Sequence, residues 1–437
     1  MDKDIQYLLS LQAVRNNSRI VLAAAQRGEL LHFDYDASRM NDVADFVTDV
    51  IRRDYGPDKF DQIPPHGRWQ HFEAGGVPRI QNLLERWQAE GCHDATEQTK
   101  RLIDLFLVSV LLDAGAGNVW AVKEPIAGGA SYGRSEGTGI ASLYLFLPGE
   151  LSSDKSKKDT VDVRLPGKGL VDLTEATFNK YFQITPDNQM PGVSTRVQLL
   201  NRVGASLLNL SEIFGPTGRP GNIVDYLIKS KSDSGTLDYE LLWNSLQKLL
   251  IPCWPSNRTR VHGQPIGDAW PLKILDLEAT KSNNVRPETT IAPFHKLTQW
   301  LAYSLMVPFT RLLDCKWVNG ELGTGLPEYR NGGLFVDIPV LRLKPQVLEE
   351  GKKASGQELP EFQDTSDVIV EWRAMTVALL DELHHLIAAK FAAEGVQLTM
   401  AQMLEAGSWK SGRELAAKYR PNTKSSPILI AGDGTLF

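Results

Sequence analysis

The sequence predicts a mainly α fold with a few short strands. Apolar residues recur at helical spacing through most of the chain, and strand-like alternation is confined to short segments. With 437 residues, 42% of them hydrophobic, the chain can bury a large core.

NDVADFVTDVIRR puts Val43, Phe46, Val47, Val50 and Ile51 on one helix face, with Asn41 placed as an N-cap. QTKRLIDLFLVSVLLDAGAG reads as a largely buried helix that stops at glycines after Asp113. STRVQLLNRVGASLLNL repeats the pattern, with Ser194 as cap and Val197, Leu200, Val203 and Leu207 facing inward. A long helix is expected from Asp367 to about Ala393, closed by Gly395. The best strand candidates are VDVRL (161–165) and GGLFVDIPVL (332–341), and the hydrophilic stretches 152–159 and 349–362 read as solvated loops. Residues 1–96 are expected to form an N-terminal helical part and 97–437 the main helical domain, unless the two make one continuous body.

The net charge of −6 argues against a non-specific nucleic-acid binder, which needs a basic face to neutralise phosphates. Cys92, Cys253 and Cys315 form no CxxC pair, so neither a zinc site nor a disulfide framework is expected. The longest apolar run, Leu102 to Leu112, is broken by Asp104 and Ser109 and is too short to cross a bilayer. With no leader segment after Met1, a soluble cytoplasmic protein is expected.

No GxSxG, P-loop, HExxH or strand-linked GxGxxG is present. The candidates are looser constellations. After LLDAGAGNVW and Trp120, the glycine-rich run ASYGRSEGTG carries Tyr132, Arg134 and Glu136. An arginine there can fork onto phosphate or carboxylate; the alternative is a salt bridge at a helix start. MPGVSTR (190–196) offers amides at a helix entrance, although a Pro-Gly turn before a cap is common. Lys273 sits among Trp270, Leu272, Ile274 and Leu275, where a partly buried amine needs an anion and a snorkelling one does not. EWRAMTVALLDELHHLI carries Glu371 and Arg373, each needing its own partner, and Asp381 and His385 at ion-pair spacing. RWQHFEAGG adds Arg68, His71 and Glu73, and LPEYRNGGLFVD crowds Glu328, Arg330 and Asp337 around a glycine pair.

LLDAGAGNVW, YGRSEGTGIASLYLF, LTQWLAYSLMVP, GLPEYRNGGLFVD, EWRAMTVALLDEL and WKSGRELAAKYRP together resemble the uracil catabolism protein 4 family, from about residue 67 to the last residues. That family is known from a fungal pathway that draws nitrogen from uracil. A fainter likeness links MPGVSTRVQLLNRVG, KILDLEA, LTQWLAYSLMVP and EWRAMTVALLDE to the queuosine 5′-phosphate N-glycosidases of the Q-salvage family. This second resemblance implies a helical fold related to helix-hairpin-helix DNA glycosylases and sets Lys273 on that family's functional lysine. Ala302, Tyr303 and Ser304 stand where that family keeps a catalytic aspartate, so a carboxylate must come from elsewhere.

The resemblances imply an N-glycosidase that cuts a ribosylurea 5′-phosphate, or a related nucleotide, into urea and ribose 5-phosphate. Under that expectation Asp337 activates water and Glu136 or Glu328 meets the leaving group. Lys273, Arg134 and Arg330 hold the phosphate or order the carboxylates, with Tyr132, Trp120, Arg373 and Glu371 as further binding residues. No metal or other cofactor, nucleic acid or membrane is expected, only a small nucleotide-like substrate. Two rivals are an amidohydrolase acting on the urea fragment and a non-catalytic nucleotide-binding scaffold.

Overall fold

A computed structural model describes residues 2–432, apart from 114, 118, 127, 153–163 and 232–234. Helices dominate it, and every sheet among the described residues has two strands. The core is built from long apolar helices: α1 (Leu11–Gln26), α2 (Met40–Tyr55), α3 (Ala95–Leu111), α4 (Arg134–Phe146) and α5 (Val193–Asn209). Further along come α6 (Lys296–Leu313), α7 (Tyr329–Asp337), α8 (Pro345–Ser355), α9 (Asp367–Phe391) and α10 (Trp409–Tyr419). Helix α3 is buried on almost every face from Leu102 to Leu111 and packs along α6, while α9 packs along α1. One apolar cluster runs from Leu11 to Ile428, so residues on both sides of position 96, itself inside α3, share a core. No helix among the described residues is long and apolar enough to cross a membrane, and all three cysteines are free.

Several expected details change. Helix α2 begins at Met40 without a side-chain cap, which leaves Asn41 inside the first turn. Helix α5 begins after Gly192, whose left-handed backbone (φ 69°) turns the chain into the helix, so Ser194 is not its cap. The larger correction concerns GGLFVDIPVL, which is helical through Asp337; only Leu341 enters a strand. Tertiary packing explains it. A Cβ on Gly332 would lie 2.8 Å from the Trp372 ring, and one on Gly333 3.0 Å from Pro427. The glycines let α7 approach its neighbours closely, at a cost in helix propensity of about 1 kcal/mol each. The loop expected at 349–362 is instead the second half of α8 followed by a strand, Glu361–Gln363. Of VDVRL, residues 161–163 lie outside the described residues, and Arg164 and Leu165 form no strand; 153–159 also lie outside them.

Two elements frame the region where the polar side chains gather. A π-helical turn, Leu404–Ser408, leads into α10 and shifts the register of Trp409; such turns are frequent at functional sites. The C-terminal segment 420–432 crosses beside α7, and its strand Leu429–Ala431 pairs in parallel with Glu361–Gln363.

Candidate functional site

The ends of α3, α4, α6, α7 and α10 converge with the C-terminal segment around a cavity of about 420 Å³. Its polar lining has a logic that begins at Arg68, a fully buried guanidinium just before a short helix, Trp69–Phe72. Arg68 Nε donates to Ser109 Oγ (2.7 Å), and its main-chain N–H donates to Ser304 Oγ (3.0 Å). Ser304 thus fixes the main chain at the arginine. Nη1 of Arg68 then reaches Asp113 Oδ2 at 3.1 Å and His71 Nδ1 at 3.3 Å. Burial first, and then the Arg68 charge, push His71 down to about 4, so its ring is neutral at physiological pH.

Glu328 forms the second corner. It is the N-cap of α7, accepting from the main-chain N–H groups of Arg330 (2.7 Å) and Asn331 (2.5 Å). Burial raises its pKa above the usual carboxylate range despite those amides and the nearby Lys296 charge. Lys296, at the first residue of α6, is lowered by burial, although Glu328 opposes the shift. Its ammonium has no ion-pair partner among the described residues.

Arg134 and Arg330 supply further cations. Both line the cavity, and each donates to the C-terminal segment: Arg134 Nη2 to Thr423 O (3.1 Å), Arg330 Nη1 to Lys424 O (2.9 Å). Burial and then the charge of Arg330 lower the Arg134 pKa, which marks the two guanidinia as neighbours. Glu136, in the first turn of α4, is bound by Arg413 at 2.7 Å; burial raises its pKa, but Arg413 and His71 outweigh that and leave it lowered.

Of the residues expected at a site, the structure therefore brings His71, Arg134, Glu328 and Arg330 to one cavity, with Arg68 bonded to His71 behind it and Glu136 electrostatically adjacent. The others lie elsewhere. Asp337 does not line the cavity; both its oxygens are taken by Arg420, at 2.8 and 2.6 Å, because α7 carries it around to the far end. Lys273 is exposed rather than part-buried, at the head of a separate helix, Lys273–Lys281. Trp120 donates to Phe182 O (2.7 Å), and the Tyr132 hydroxyl accepts from Arg79 (3.2 Å); both roles are structural. Arg373 makes a bidentate pair with Asp268 at 2.7 Å, and Glu371 accepts from the amides of Leu31 (2.9 Å) and His32 (2.8 Å). Asp381 pairs with Arg15, not His385. Glu73 accepts from the Trp69 indole at 2.8 Å.

His66, Asp113, Lys296, Trp300 and Trp409 also line the cavity, and no sequence motif pointed to them as site residues. A buried lysine opening an apolar helix, and tryptophans within LTQWLAYSLMVP and WKSGRELAAKYRP, were the available signals.

A family model described as a protein of unknown function (DUF1688) matches residues 7–437. Protein urg3 of Schizosaccharomyces pombe is 46% identical over 431 residues, covering 98% of each chain. Uracil catabolism protein 4 of Lachancea kluyveri is 42% identical over 450 residues, covering the whole of both. This chain belongs to the family that holds those two proteins and that the matching model describes.

Proposed function

We propose that this chain acts in uracil degradation as an N-glycosidase, hydrolysing a ribosylurea 5′-phosphate or a related nucleotide to urea and ribose 5-phosphate. The observation that carries this reading is the gathering of the carboxylates Asp113 and Glu328 and the cations Arg134, Arg330 and Lys296 around one cavity, which Asp364 and Lys424 also line. The name of the Lachancea relative supports the pathway.

N-glycosidic cleavage develops oxocarbenium character at C1′, so a fixed carboxylate there stabilises the charge and orients water. Asp113, held by Arg68, takes that role in place of Asp337. Urea leaves poorly as an anion, so a proton donor must meet it. Glu328 suits that role because burial keeps its proton on to higher pH. Arg134 and Arg330 are the phosphate ligands, since a guanidinium can fork onto two phosphate oxygens. Lys296, between Glu328 and Asp113 electrostatically, balances the carboxylates. The reading calls on no cofactor.

The test is incubation of the purified protein with ribosylurea 5′-phosphate. Urea and ribose 5-phosphate are expected in equal amounts. An amidohydrolase would consume the urea fragment without freeing the sugar phosphate. A scaffold would give only ligand-dependent thermal stabilisation, and either result would end the N-glycosidase reading.

A further inference from the structure

Two tryptophans and two histidines enclose one part of the cavity. The His71 ring stands edge-on to both Trp300 and Trp409, with centroids 5.8 Å apart and planes at 69° in each case. His66 lies 5.7 Å from Trp409 and 6.4 Å from Trp300. Its Nδ1 is tied to Glu405 in the π-helical turn at 2.6 Å, which fixes that side of the box.

Two donors in this box lack acceptors among the described residues. Trp300 is 5% exposed, and its indole N–H is buried without a partner. His71 presents the other. A guanidinium can only donate, so the contact from Arg68 Nη1 makes Nδ1 the acceptor and puts the ring proton on Nε2. Native proteins seldom leave buried donors unanswered, and an orphan beside a cavity points to a ligand acceptor. The box holds donors and aromatic rings; its own carboxylate, Glu405, is engaged by His66, and Asp113 is held next to it by Arg68. The cations that suit an anion, Arg134 and Arg330, belong to another part of the lining, tied to the C-terminal segment.

We propose that this box is a subsite for a small, neutral, planar amide carbonyl, such as a ureido group or a pyrimidine ring. Its oxygen accepts from Trp300 Nε1 and His71 Nε2, and the Trp409 ring lies beside it. Arg68 is then a positioning residue that holds the His71 tautomer and Asp113 together. The identification of this group with the leaving group rests on the N-glycosidase reading; the preference for a planar carbonyl does not.

The full chain is titrated calorimetrically with uridine 5′-monophosphate and, separately, with ribose 5-phosphate. Uridine monophosphate is expected to bind at least tenfold more tightly. Trp300→Phe keeps the ring and removes the N–H, and should weaken uridine monophosphate binding about tenfold while ribose 5-phosphate stays within twofold. His71→Leu should act in the same direction and serves if the first variant does not fold. Unchanged uridine monophosphate binding in a folded variant, or equal loss for both ligands, overturns the subsite. Retained preference without turnover of ribosylurea 5′-phosphate would sink the N-glycosidase and keep the box; turnover without preference would do the reverse.

Discussion

Two buried aspartate–arginine pairs in this protein look alike in sequence and differ in kind. Asp268 takes both Arg373 nitrogens at 2.7 Å, the Trp270 indole at 2.9 Å and the main-chain N–H of Lys296 at 3.1 Å. Although burial raises the Asp268 pKa, Arg373 holds it far below the usual carboxylate range. Asp113 has one guanidinium contact at 3.1 Å and faces a cavity, and its arginine keeps a buried nitrogen, Nη2, without a partner. In the first pair the carboxylate is saturated, and it fixes the start of α6. The second is left partly unsatisfied beside open space. The difference lies in the acceptor: one carboxylate is fully bonded inside the core, and the other has a single guanidinium contact beside the cavity.

The contrast can be broken in order of expected effect. Asp268→Ala leaves Arg373 buried and unpaired, and should cost about 3–5 kcal/mol in denaturant unfolding. A loss below about 1 kcal/mol would put the two pairs on the same footing. Asp113→Asn keeps an acceptor for Arg68, so its melting temperature should stay within a few degrees, while glycosidic turnover drops about a hundredfold or more. A stability defect with turnover intact would reverse the assignment.

His71 gives a smaller, pH-dependent effect. Its folded pKa of about 4 lies below the ordinary 6.5, so between those values the unfolded chain binds the extra proton. Its contribution is full above pH 6.5 and falls as pH drops toward 4, at up to ~1.4 kcal/mol per unit. Relative to wild type, His71→Gln should flatten that slope in chemical denaturation between pH 6.5 and 4.5. Smallest of all, Lys273→Ala should shift stability by no more than about 0.5 kcal/mol and leave kcat/KM unchanged, because the side chain is exposed. A large kinetic defect there would restore the role that the resemblance to the glycosidases implied.

How much of this was legible in the sequence follows the same division. The long helices were readable because their periodicity is local, and Val43, Val47, Leu200 and Val203 are all buried as expected. Helix α7 was not, because Gly332 and Gly333 are explained only by Trp372 and Pro427, which lie tens of residues away. Arg134, Glu328 and Arg330 stood out as polar groups crowded near glycines and do reach the cavity. Glu371 and Arg373 stood out equally, but their partners, the amides after Leu30 and Asp268, are remote in sequence. Asp113 and Lys296 belong to no catalytic motif; their one signal was a charge of the sign the dipole disfavours, an aspartate after the C-terminus of α3 and a lysine opening α6.

The C-terminal segment carries a last consequence, in the order of folding events. Arg134 reaches Thr423 across 289 residues, and Arg330 reaches Lys424 across 94. Each doubling of a closed loop adds only about 0.6 kcal/mol of entropy, so such contacts are thermodynamically tolerable. Kinetically they come late, after helices whose contacts are local. Helix content and the finished cavity should therefore return at different times after dilution from denaturant. Recovery of ligand binding, rather than recovery of helical signal, reports that the chain has closed its site.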